Sequence, residues 1–547
     1  MLKHRALVIL AALTLILCAA PALCEASTPM WFGSSDASSP ESVGWYTLSG
    51  SRYFFLPGCV ESRLWFADGS KATIDGDAIE NGASAEAYAD GKKHKIKVNG
   101  KQYNVTILKG SDIPAIFINT ASGSLDSIDA SKENRESAEM VMLSGGEEFR
   151  FGITEMRKRG NSSLGFKKKS FQIKLQDKAE LCGMGKAKTW LLISNQIDNS
   201  LIRNEITLDM ARYAGMDYVP KSQQVDLYIN NEYRGLYLLS EKVEIKDSRI
   251  NIRNLENETE DLNDLPLSEY PMLGTESKKK GSWKAYDIPV SPADITGGYL
   301  FELDRTELRY EQAKTAYRTM RKLTVEIKSP KYASKAEMDY ITGFIQGFED
   351  AIFSSTGVNE SGKAYYEYVD MTSLVRAYLV QEVSKNYDSN TSSLFFYKPS
   401  DSESTTAFAG PPWDFNCSWG SYARSHNTAV LKPRGFWANS VTGMSYWWPA
   451  IYKHEEFAKA AQERYAAEFK PALEILLGLR EEENGMLSLT SYSERIEDSY
   501  KMNFTRWGYS TIGGNSASTG KSFKANMEYL TDFIEKRYKF LNENWAE

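Results

Sequence analysis

The chain has 547 residues, with 65 Lys plus Arg against 72 Asp plus Glu and a formal charge of −7. A hydrophobic share of 42% and a charged share of 25% exclude a mostly disordered chain, and the mild acidity argues against a nucleic-acid binder, whose footprint is a basic face. The histidines, His4, His94, His426 and His454, are scattered singly and leave little room for a histidine-built zinc or haem site.

The chain opens on a targeting pattern. Lys3, His4 and Arg5 are basic, residues 6–20 are nearly all apolar, and small residues follow at Ala22 and Ala26. This reads as a secretory signal peptide over 1–26, cut between about residues 22 and 27, and predicts an exported protein, extracellular or at the cell surface. The apolar run is too short to span a bilayer, and no later stretch is apolar enough for a transmembrane span. Cys18 and Cys24 raise the question of lipoprotein anchoring. Each follows a Leu where lipid-bearing cysteines usually follow a small residue, so plain export is the expectation. Cleavage leaves Cys59, Cys182 and Cys417, which allow at most one disulfide.

Residues 27–43 are rich in Ser, Pro, Gly and Ala and read as a linker. From 44 to 110, short runs of β-formers are punctuated by turn residues. Asn99-Gly100 between 95–98 and 102–108 is a strong hairpin signal, since it supplies two positive-φ positions. A small β-sandwich is the natural reading. Further strands follow from 111 to about 305, including 115–118 and 171–175, where Phe171, Ile173 and Leu175 alternate with polar residues. Apolar spacing predicts a helix over 200–214, capped by Asp198 or Ser200 and stopped by Gly215. A second hairpin turns at Asn230-Asn231. Residues 254–291, with the lysine run at 278–280, read as a solvated polar insertion. Strands return at 298–303 and 323–327. Helical periodicity dominates beyond 335, at 335–355, 371–385, 455–478 and 523–544. The fold class is α+β, a β-rich half followed by a helix-rich half.

Five constellations carry chemistry. In 386–416, one carboxylate (Asp388) precedes a predicted hairpin, 394–397 with 407–409, and another (Asp414) follows it. Closing the hairpin brings both to one end, beside Asn386, Asn390 and Asn416, an oxygen-rich set suited to a hard cation such as Mg²⁺. Polar residues also gather at hairpin ends for turn chemistry alone. The second is 157–175, where Arg157, Lys158 and Arg159 lead into Gly160, Asn161, Ser162 and Ser163 and then Lys167, Lys168 and Lys169. It reads either as an anion-binding loop or as a basic surface loop. Asp198, Arg203, Asn204 and Glu205 on the following helix could include an acid that anchors a strand lysine, but read more often as exposed charges. Glu241 ends an apolar strand. Glu302 and Asp304 stand two apart on a strand and share a face. With 12 Trp and 31 Tyr, they also suit a carbohydrate-active protein.

Taken in order, these segments resemble the CotH kinase family, named for a bacterial spore-coat protein. The matching pieces are 157–164 with 169–175, 190–195 through Asp198, Arg203 and Asn204, 231–241, 298–302, 386–397 and 410–415. The resemblance covers roughly residues 112–547, and 44–108 is similar to a β-sandwich appendage that often precedes the family's domain. It implies an atypical protein-kinase-like bilobal domain over 111–547, with a β-rich lobe at about 111–305 and a helical lobe at about 335–547. It implies a secreted or coat-associated protein kinase that moves the γ-phosphate of ATP, with Mg²⁺, to Ser or Thr of a surface or coat protein.

By the same resemblance Asp388 is the catalytic residue. Asp414, with Asn390 or Asn416, binds the metal. Lys174 or Lys169, Arg159, Asn161, Ser162 and Glu241 serve the nucleotide, with Lys174 preferred among the lysines. There are departures: no glycine-rich nucleotide loop, Asn416 rather than Gly after Asp414-Phe415, and Ser393 where ordinary kinases carry a metal-binding Asn five residues after the catalytic Asp. These keep a second outcome open, a non-catalytic surface or coat protein on the same fold.

Overall fold

A computed structural model describes residues 29–546, except 278–280, 305–306, 391, 424–427, 441–446 and 514–519. The expected signal peptide, with its anchoring question, and the lysine run at 278–280 lie outside the described residues. No helix among the described residues is long and apolar enough to cross a membrane.

The N-terminal layer is a pair of sheets. One has six strands in the order Tyr46–Leu48, Ser51–Leu56, Lys101–Lys109, Asp90–Val98, Ala72–Ile74 and Asp77–Ile79. The other has three, Met30–Phe32, Arg63–Phe66 and Ala83–Ser84. The hairpin between Asp90–Val98 and Lys101–Lys109 turns at Asn99 (φ 48°) and Gly100 (φ 81°), the two left-handed positions of a tight turn. On the first strand His94, Ile96 and Val98 are buried while the lysines between them face water, the period of two that a half-buried strand requires.

The stretch expected as a linker instead joins this layer. Met30–Phe32 pairs with Arg63–Phe66, and Phe32 bridges to Val43. Met30, Phe32 and Val43 are all at most 1% exposed. Their apolar side chains are spaced among small and polar residues, so composition alone masked them. Nor is the layer insulated from the rest of the chain. Its core runs on through Phe117, Tyr228, Tyr233 and Met502, and the Tyr228 hydroxyl donates to the Phe55 carbonyl at 3.1 Å.

A closed seven-stranded barrel comes next, ordered Ala115–Thr120, Glu136–Ser144, Glu147–Arg159, Ser170–Glu180, Lys186–Ile193, Glu232–Glu241 and Ser222–Ile229. It closes by parallel pairing of Ala115 to Ile118 with Asp226 to Ile229. Ile116, Met140, Ile173, Trp190, Leu192 and Leu239 fill its interior. The Asn230-Asn231 turn has both residues left-handed, at φ 53° and 62°.

A second seven-stranded sheet runs Met272–Ser277, Gly281–Tyr286, Ala316–Arg318, Thr324–Ser329, Tyr299–Leu303, Leu394–Lys398 and Phe408–Ala409. The insertion expected as a solvated loop supplies a helix, Leu255–Asp261, and the first two of these strands. Trp283, Ala285 and Tyr286 are buried there among polar neighbours. The largest core joins this sheet to the helices Arg203–Tyr213, Lys335–Phe353, Met371–Val383, Glu455–Arg464, Lys470–Leu476 and Phe523–Trp545. Ser334 and Glu337 form a reciprocal capping box at the start of Lys335–Phe353. The helix expected over 455–478 is divided by a wide turn, Tyr465–Phe469. A further helix, Glu497–Trp507, packs on the strand Glu232–Glu241. The fold is mixed α+β.

Candidate active site

The helix Met371–Val383 delivers the chain to Lys385 and Asn386 and then to a 3-10 turn, Tyr387–Asn390. The strand Leu394–Lys398 follows and pairs with Phe408–Ala409, with Phe396 opposite Ala409 and Tyr397 opposite Phe408. The returning chain reaches Asp414 in a left-handed conformation (φ 63°).

Asn386 ties the two ends together. Its amide donates to the Asp414 carbonyl (3.3 Å) and to Gln381 (2.9 Å), and its carbonyl accepts the Asp388 N–H (3.3 Å). The Tyr387 N–H donates to the Cys417 carbonyl at 3.1 Å. On the other side, the Phe415 N–H donates to Asn204 Oδ1 at 2.6 Å, and Asn204 donates to Asn195 at 2.8 Å. Asn204 sits in the first turn of Arg203–Tyr213, so this helix sets the position of the Asp-Phe segment.

The neighbouring Asp198 and Arg203 are fully buried and paired at 2.5 Å, and Asp198 also accepts the Arg203 N–H at 2.8 Å. Residues that read as exposed helix charges are thus buried framework. A single buried charge is costly, and each side chain is retained because the other compensates it.

These segments form one wall of a cleft of about 1050 Å³. Asp388, Asp414, Asn416, Ser393 and Cys417 line it, and both aspartates are half-buried. The loop residues Arg159, Gly160, Asn161 and Ser163 line it from the barrel side. Gly160 has φ +103°, and a Cβ there would fall 1.8 Å from Ser163 Oγ, so the loop needs glycine at that point. The Arg159 guanidinium lies 5.7 Å from the Trp413 ring centroid. Burial raises the Asp414 carboxyl above its usual range, and the Arg159 charge pulls it back. Burial lowers Arg159, and Asp414 opposes that.

Burial, then the charges of Asp388 and Asp414, push the Cys417 thiol far up, and its S–H bonds to Asp388. Cys417 is therefore a neutral donor rather than a thiolate nucleophile. With Cys59 and Cys182 it is a free cysteine.

Glu302 and Asp304 line the same cleft. Burial lifts Glu302 to about 7, with Lys328 at 3.3 Å opposing the rise. Its carboxylate accepts the Ser393 N–H at 3.2 Å, which fastens the second sheet to the segment between Asp388 and the hairpin. Asp304 pairs with Arg309 at 2.8 Å.

Three other expected site residues stand apart from the cleft lining. Lys174 projects from the outer face of the barrel and pairs with Glu155 at 3.1 Å, because the alternation that buries Phe171, Ile173 and Leu175 turns it to solvent. Lys169 donates to the Leu164 carbonyl at 2.7 Å and braces the loop. Glu241 is buried against Arg249 at 2.6 Å and accepts the Lys221 N–H at 2.9 Å. The neighbouring Lys168 is fully buried, donating to the carbonyls of Ser194 and Leu236. Asn390 closes the 3-10 turn, but its side chain and that of Ser162 lie outside the described residues.

The lining also includes Lys132, Arg309, Lys314 and Lys328, which the sequence reading did not single out. None of them left a local signal: Lys328 lies one residue past the expected strand 323–327, and its neighbourhood to Glu302 comes from strand pairing. Among the described residues, no three His, Cys, Asp or Glu side chains gather into a group able to hold a metal ion unaided. Mg²⁺ is commonly held by one or two carboxylates completed by substrate phosphates and water. The carboxylate of Asp414 with the amide of Asn416, both on the cleft lining, fits that mode.

A mixed α+β protein whose cleft is lined by two carboxylates, Asp388 and Asp414, and by a glycine-bearing loop that carries Arg159 is the class these features define. The family model described as CotH kinase protein matches residues 156–541, well over half of the chain, and the chain belongs to the CotH kinase family. Comparison with curated proteins gave no match.

Proposed function

We propose that this protein is an exported, Mg²⁺- and ATP-dependent protein kinase that phosphorylates Ser or Thr on an extracellular, surface or coat protein. The observation that carries the reading is the meeting of Asp388 and Asp414 in one cleft with the Arg159 to Ser163 loop. In this reading the barrel and the helix-backed sheet act as the two lobes of a kinase-like domain. Asp414, with Asn416, would hold the divalent cation, which supplies charge neutralisation to the phosphates when bound. Arg159 and Asn161 bind the nucleotide from the opposite side.

Asp388 orients the acceptor hydroxyl and takes its proton. The hydroxyl oxygen forms a bond to the γ-phosphorus, the bond from that phosphorus to the β–γ bridging oxygen breaks, and ADP leaves. Phosphoryl transfer depends chiefly on positioning and charge neutralisation, so residues held by fixed partners suit it.

The test is Mg²⁺-dependent ATP binding by the purified mature chain, followed by phosphorylation of a protein acceptor. Asp414→Ala should abolish metal-dependent nucleotide binding. Asp388→Ala should spare binding and remove phosphorylation, because a base acts on the acceptor rather than on ATP. Wild-type behaviour in both variants defeats the assignment. One specific observation favours a second reading, a non-catalytic member of the family: Ser393 stands where kinases carry a metal-binding amide.

A further inference from the structure

The segment after the short helix Asp126–Ala130 carries Lys132 into the cleft. It precedes residue 156, where the family match begins. Lys132 is half-buried, and its ammonium donates to Asn161 Oδ1 at 3.3 Å, on the same loop that presents Arg159. Arg309 reaches the cleft from the helix Glu307–Gln312, which links the strands Tyr299–Leu303 and Ala316–Arg318 of the second sheet, and it pairs with Asp304. Three elements far apart in the chain thus deliver cations to one cleft. Burial, then the like charges of Arg309 and Arg157, lower the Lys132 ammonium below its usual range, with Glu133 and Glu326 opposing. A half-buried ammonium set against a second cation gains from an anion placed beside it.

We propose that Lys132 is a phosphate-binding residue of this cleft, forming with Arg159 and Arg309 a cationic seat for the phosphate chain of the nucleotide. The proposal rests on the nucleotide reading above and extends it to a residue outside the family-matched region. Asn161, which contacts the nucleotide in that reading, also holds the ammonium over the loop through its Oδ1. An ammonium is a point charge for phosphate rather than a bidentate fork, so arginine at this position retains the charge and the reach.

The experiment uses the full mature chain and two probes, inorganic tripolyphosphate without metal and Mg-ATP. Lys132→Gln should weaken tripolyphosphate binding roughly ten- to a hundredfold, the scale of one hydrogen bond to a charged group. Lys132→Arg should restore most of it. Equal affinity in wild type and Lys132→Gln overturns the proposal, as does a wild type that does not bind tripolyphosphate. Asp414→Ala with Mg-ATP reports on the reading beneath it. Should that variant lose nucleotide while Lys132→Gln keeps both probes, the kinase reading stands and the seat fails. Should wild type ignore Mg-ATP yet bind tripolyphosphate through Lys132, the seat stands and the nucleotide reading fails.

Discussion

Glu302→Gln separates the electrostatic cost of one cleft carboxyl from its role in the fold. Glu302 is 8% exposed, and burial lifts its pKa from 4.5 to about 7 against the pull of Lys328. Between those values the folded protein keeps a proton that the unfolded chain has released. The slope of stability with pH follows the protons bound by the unfolded chain minus those bound by the folded one, so here it is negative. The contribution is fully present below pH 4.5 and is lost as pH rises to about 7. At about 1.36 kcal/mol per pH decade, that gap amounts to about 3 kcal/mol. Glutamine has no proton to lose, and its carbonyl can still accept the Ser393 N–H. The stability of Glu302→Gln relative to wild type should therefore rise by about 3 kcal/mol from acid to neutral pH. Denaturant unfolding of both proteins at closely spaced pH values measures this difference, and comparison with wild type cancels the other titrating groups. Parallel stability curves for the two proteins would refute the reasoning.

Asn204→Ala removes the acceptor of the Phe415 N–H and the donor to Asn195, leaving two buried groups unpartnered. The expected cost is about 2–5 kcal/mol in unfolding, with weakened Mg²⁺-dependent nucleotide binding because the Asp414 segment loses its support. A variant as stable as wild type counts against the framework role. Lys174→Met should leave nucleotide affinity unchanged and alter stability by less than about 1 kcal/mol, since its partner Glu155 is a surface ion pair. A large loss of ATP binding in that variant would return Lys174 to the site.

Local chemistry accounts for much of what the chain announces. Asn99-Gly100 and Asn230-Asn231 are turns wherever they occur between strands, because few other residue pairs tolerate two left-handed positions. The alternation of Phe171, Ile173 and Leu175 marks a strand with one buried face. The helix over 200–214 stops at Gly215, which adopts φ +76°. The Asp388–Asp414 hairpin follows from two β-forming runs joined by a polar turn. Each of these rests on interactions within a few residues.

Convergence of side chains is a different matter. Alternation divides a strand into two faces without saying which of them meets a cleft, so the preference for Lys174 among the lysines fails once barrel closure turns that face to solvent. Apolar residues dispersed in polar surroundings, such as Phe32 in the expected linker and Trp283 in the expected loop, declare themselves only when a sheet buries them. Asp198 and Arg203 carry charge, the usual mark of a surface, and only tertiary burial with mutual pairing makes them framework. Lys132 and Arg309 meet in the cleft because strand register and barrel closure bring distant segments together. Such long-range geometry leaves no trace in local periodicity, and it decides which charges a ligand would meet.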